Sequence, residues 1–97
     1  MILEQATLQI KPNSSSEFEI AFKEASSIIS QMKGFLSVDL LKCIEKENKY
    51  LLLVKWETLQ DHEIGFRKSK EYQQWKQLLH HFYEPFPEVL HFSSILK

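Results

Sequence analysis

The stretch Tyr50 to Trp56, Y-L-L-L-V-K-W, restricts this chain more than any other. It reads as a strand whose apolar side chains fall on both parities. Successive side chains of a strand point to opposite faces, so both faces of this one need cover. A chain of 97 residues makes one domain and can lay helices over one face. No segment remains for the other, which predicts a partner subunit there: a homodimer through sheet faces.

The neighbouring segments supply the rest of a sheet. Ile2 to Ile10 alternates, with Ile2, Ala6, Leu8 and Ile10 on one parity and Gln5, Thr7 and Gln9 on the other, so it is a half-buried strand. Pro12-Asn13 ends it. Ser14 to Met32 carries Phe18, Ala21, Phe22, Ala25, Ile28, Ile29 and Met32 at helical spacing. Ser14 with Glu17 three residues on fits a capping box, and Lys33-Gly34 fits a helix end. Phe35 to Ile44 reads as a second strand, and the charged run Glu45 to Lys49 as a hairpin loop. Thr58 can cap a short helix to about Phe66, and Ser69 a second to about Phe82. Glu84-Pro85-Phe86-Pro87 breaks the chain before a last strand over Glu88 to Leu96. The order β-α-β-β-α-α-β predicts an α+β fold: a ferredoxin-like four-stranded antiparallel sheet with helices on one face, spanning residues 1–97 as a single domain.

A formal charge of −1 argues against nucleic-acid binding, which calls for a basic excess. The lone Cys43 allows no internal disulfide and has no paired base beside it to make it a nucleophile. No apolar run approaches the ~20 residues of a membrane span, and the start alternates rather than showing a signal-peptide block. The expected compartment is the cytoplasm, with no nucleic acid and no membrane as partners. With two glycines in the chain, no phosphate-binding loop or nucleotide fingerprint is present.

Several stretches together resemble the antibiotic biosynthesis monooxygenase (ABM) domain family: G-F-L-S-V-D-L at 34–40, Y-L-L-L-V-K-W-E-T at 50–58, D-H at 61–62, G-F-R-K-S at 65–69, E-Y-Q-Q-W at 71–75 and H-H-F-Y-E-P-F-P-E-V-L-H-F at 80–92. The resemblance covers essentially the whole chain. It implies a dimeric α+β barrel. It also implies one of several functions: oxygenation of a phenolic or quinol-like aromatic without metal or organic cofactor, haem binding and degradation, or a non-catalytic small-ligand or stress-related role. The haem-degrading branch carries an asparagine, a tryptophan and a histidine at positions that align with Leu8, with Gly65 or Phe66, and near Trp75. None of the three matches, so the resemblance leans toward cofactor-free oxygenation.

That chemistry asks for a general base, an apolar cavity and aromatic walls. His62, in the D-H pair, is the base candidate. It does not form a dyad with Asp61, because helix neighbours do not face each other. His81, at the end of the second helical region, is a second catalytic candidate, although a cation there also suits the helix dipole. Trp56, Phe66, Tyr72, Trp75, Tyr83 and His91 are candidates for substrate binding; for both tryptophans plain core packing is the competing account. Arg67, with Lys68 and Lys70, reads as a solvated basic face or as a holder of an anionic substrate group. No H-x-H or H-x-x-x-H spacing exists, so no metal site is expected.

Overall fold

The computed structural model describes residues 1–96. Its elements are β1 (Ile2–Gln9), α1 (Ser15–Ile29), β2 (Phe35–Lys42), β3 (Lys49–Trp56), a π-helical turn (Asp61–Phe66), α2 (Lys70–Leu79), a 3-10 turn (His80–Phe82) and β4 (Val89–Phe92). The strands pair antiparallel in the order β2-β3-β1-β4, which is the ferredoxin-like α+β arrangement.

Parity decides what each strand buries. Ala6, Leu8 and Ile10 from the first strand region join Tyr50, Leu52, Val54 and Trp56 of β3 under one face of the sheet. Phe18, Phe22, Ala25 and Ile29 of α1 and Trp75 and Leu79 of α2 close over them. Glu4 lies on the same buried parity, and the register sets it between Val54 of β3 and His91 of β4. The other face carries Leu3, Leu51 and Leu53, half-buried, with Leu41, Leu90 and Phe92 exposed.

Four boundaries depart from the sequence expectation. The capping box at Ser14 does not form: its hydroxyl donates 3.4 Å to the Pro12 carbonyl and caps no helix amide. The backbone explains this, because Ser14 has ψ near 2°, whereas a capping residue is normally extended. Ser69, with ψ of 161°, does cap α2, its hydroxyl accepting from the Tyr72 amide at 3.1 Å. α1 stops at Ile29 rather than Met32. The hydroxyls of Ser26, Ser27 and Ser30 bond carbonyls three residues back, and the chain tightens into Gln31→Ile28 and Met32→Ile29 turns. The second helix is α-helical only to Leu79, with a 3-10 turn over His80–Phe82. β4 covers Val89–Phe92 instead of running from Glu88 to Leu96; Phe92 pairs with Leu3, one residue from the start of β1.

Candidate functional site

A cavity of about 350 Å³ lies between the buried face of the sheet and the segment that follows β3. Its floor is Glu4, Ala6 and Leu8 of β1 with Leu52 of β3. Phe66, Tyr72, Trp75 and Tyr83 form the aromatic wall. His62 and Glu4, 2% and 6% exposed, mark the inner end, while Arg67 and Phe86 line the cavity and are also exposed to solvent, which places them at its mouth.

Glu4 organises the inner end. The Trp56 indole N–H donates to its Oε1 at 2.9 Å, and His62 Nε2 lies 3.3 Å from the same oxygen. Among the described residues Oε2 has no hydrogen-bond partner, and Glu4 lines the cavity. Behind His62, its Nδ1 lies 2.7 Å from Nε2 of His91. The result is a line of three titratable groups: Glu4 on β1, His62 on the π-helical turn and His91 on β4. The His62 ring is held in plane by the Trp56 indole, which stacks on it at 5.4 Å and 22°.

Burial sets the charges here. It pushes the Glu4 carboxyl up to about 7, against the opposing pull of the Trp56 N–H and the Arg67 charge. It pushes His62 down to about 3, helped by the positive charge of Arg67 and by His91. His91 is also lowered by burial, with Glu63 acting in the opposite direction. Both imidazoles are therefore neutral near pH 7, and a neutral ring has one N–H and one bare nitrogen. Two arrangements suit this line. With Glu4 ionised, His91 donates to His62 Nδ1 and His62 Nε2–H faces the carboxylate. With Glu4 protonated, its hydroxyl faces a bare His62 Nε2 and His62 donates to His91.

Most of the residues singled out from sequence gather here, in altered roles. His62 is in the wall, but its Nδ1 is paired with His91, its Nε2 lies 3.3 Å from Glu4 and burial makes it a poor base; the near-neutral group is Glu4. Phe66, Tyr72, Trp75 and Tyr83 line the cavity. Trp56 is fully buried and reaches the site only through its bond to Glu4. His91 stands behind His62 rather than against the cavity. His81 is exposed, its ring against Phe82 at 4.2 Å, and His80 lines the cavity in its place. Adjacent residues of a helical turn point about 100° apart, so only one of the two could face inward. Sequence reasoning missed Glu4. The signal was there: a carboxylate on the apolar parity of β1 is seldom buried without partners.

The model of the antibiotic biosynthesis monooxygenase family matches residues 1–78. The uncharacterized protein YczJ of Bacillus subtilis (strain 168) is 57% identical over 95 residues, covering 98% of this chain and 100% of that protein. A crystal structure from Bordetella bronchiseptica, described as a candidate antibiotic biosynthesis monooxygenase, superposes with a TM-score of 0.92 at 30% identity, over 98% of this chain and 97% of that one. The cofactor-independent oxygenase SnoaB of Streptomyces nogalater superposes with a TM-score of 0.86 over 99% of this chain and 94% of that one; at 16% identity it speaks for the fold alone. By sequence match over most of its length, the chain belongs to the antibiotic biosynthesis monooxygenase family.

Proposed function

We propose that this chain is a monooxygenase acting on a small phenolic or quinol-like aromatic without metal or organic cofactor, with Glu4 as the general base. One observation carries the reading: a buried carboxyl, pushed up to about 7 and with one oxygen free of hydrogen bonds, lines an aromatic-walled cavity. A base works best when its pKa lies near the working pH, and Glu4 satisfies that where His62 does not. The substrate hydroxyl gives its proton to Glu4 Oε2. The anion left behind is electron-rich enough to bond O2 at a ring carbon. The peroxide anion so formed takes the proton back from Glu4, and the hydroperoxide then loses water together with the hydrogen of the attacked ring carbon, which leaves one oxygen atom on the ring as a carbonyl and sends the other out as water. Tyr72, Trp75 and Phe66 hold the ring flat and keep bulk water away. His62 and His91 are positioning residues that orient the carboxyl.

The same reading includes a homodimer built from the solvent-facing sides of two sheets, and a cytoplasmic setting. Among the described residues, no helix is long and apolar enough to cross a membrane.

The test is oxygen consumption with a panel of hydroquinones and naphthols. Glu4→Gln keeps the shape and the Trp56 bond but removes the base, and kcat/KM is expected to fall by about 10²-fold or more. Wild-type kcat/KM should rise with pH through about 7, as the carboxyl ionises, and the rise should vanish in the variant. Equal rates for wild type and Glu4→Gln would remove Glu4 from the chemistry. Binding without oxygen uptake across the panel would leave a non-catalytic ligand-binding protein.

A further inference from the structure

We infer that the ligand of this cavity carries a carboxylate on its aromatic skeleton, and that Arg67 selects it. The inference rests on the reading of the cavity as a site for a hydroxylated aromatic, and it adds the second functional group.

The cavity is polar at both ends and aromatic between them. At the inner end, Glu4 and His62 suit a hydroxyl. At the mouth, Arg67 lines the cavity while its side chain still reaches solvent. The basic–acidic contacts within 4 Å among the described residues are Lys42–Glu19 and His62–Glu4, so Arg67 has no carboxylate within that distance. It is also the chain's single arginine and the one full positive charge on the cavity wall, since the other basic lining groups, His62 and His80, are held neutral by burial. Its field extends inward, acting on Glu4, His62 and His91. A planar guanidinium offers two parallel N–H donors that match a carboxylate, a fit a lysine cannot reproduce. A cavity of about 350 Å³ takes a two-ring skeleton with both groups attached. The hydroxyl and the carboxylate would then fix the ring by its two ends, which a bare phenol cannot do.

The experiment compares 2-naphthol with 6-hydroxy-2-naphthoate, whose two groups lie at opposite ends of the ring, by isothermal titration calorimetry without oxygen, so that binding is read apart from any turnover. Wild type should bind the acid at least about tenfold tighter than the phenol. Arg67→Gln should reduce that preference to under about threefold while 2-naphthol binds as before, which also shows the cavity to be intact. Arg67→Lys should keep part of it, and added salt should weaken the acid but not the phenol. The inference is overturned if the acid binds no tighter than the phenol in wild type, if neither ligand binds, or if the preference survives Arg67→Gln. A protein that consumes no oxygen with any phenol but keeps the Arg67-dependent preference would sink the oxygenase reading and leave this one standing.

Discussion

Glu4 and His62 pull stability in opposite directions with pH. The Glu4 carboxyl rises from 4.5 to about 7 on folding, so the folded chain holds a proton that the unfolded chain has lost. Its contribution is fully present below pH 4.5 and disappears as pH climbs through 7. His62 falls from 6.5 to about 3, so its contribution is present above pH 6.5 and disappears as pH drops toward 3. Over the shared window, between 4.5 and 6.5, the two slopes offset each other. Removing one group unmasks the other. The stability of wild type relative to Glu4→Gln, from urea melts at each pH, should decline by about 3 kcal/mol between pH 4.5 and 7. A flat difference would mean that the carboxyl ionises as it does in water. The same residues show what a sequence discloses of a site. His62 stands out because a histidine is chemically conspicuous in any sequence. Glu4 does not, because its meaning comes from Trp56, 52 residues away, and from His91 across the sheet, partners that exist only once register is set.

At the scale of elements, side-chain type indicated where helices begin, and backbone angle decided which cap forms. Ser14 and Ser69 look alike in sequence, yet only Ser69 has the extended backbone that aims its hydroxyl at a helix amide. Ser69→Ala should therefore cost about 1 kcal/mol, and Ser14→Ala only a few tenths, in matched thermal melts. Equal costs would mean that the hydroxyl at Ser69 contributes no cap. Gly34 joins two elements in a way that no local pattern reveals. Its φ of +83° admits the turn into β2, and a Cβ there would stand 2.7 Å from the Cβ of Asp61 in the π-helical turn. Gly34→Ala should cost about 2 kcal/mol or more. Adding Asp61→Gly should recover only the steric part, since the left-handed backbone stays costly for alanine. Periodicity made the strands and helices legible, while their ends depended on partners: β4 stops at Phe92, which pairs with Leu3, one residue from the start of β1.

For the molecule as a whole, the doubly apolar β3 is the ground for the proposed dimer. Its even residues Tyr50, Leu52, Val54 and Trp56 are buried beneath the helices, as one side of the strand pattern required. Its odd residues Leu51 and Leu53 stay half-exposed in a patch with Leu3, Leu41, Leu90 and Phe92. These apolar side chains alternate on that face with Gln5, Asp39 and Lys55, and their number on one sheet face is what the proposed contact would cover. In the proposed dimer a second sheet lies over it. Leu53 is the point at which to test this, because its backbone pairs with Gln5 on one side and Asp39 on the other, so it sits inside the sheet rather than at an edge. Leu53→Glu would place a carboxylate level with Asp39 and bring two such charges toward each other across the twofold. The lost apolar burial alone is worth roughly 2 kcal/mol per leucine, and a desolvated like-charge pair adds to it. Light scattering at micromolar concentration should read a dimer for wild type and a monomer for Leu53→Glu. Ile20→Glu is the control: Ile20 is 73% exposed on α1, away from the sheet, and the substitution should leave the mass unchanged. A monomeric wild type, or a Leu53→Glu protein that keeps the dimer mass, would place the contact elsewhere and leave the outer face of β3 without a reason for its leucines.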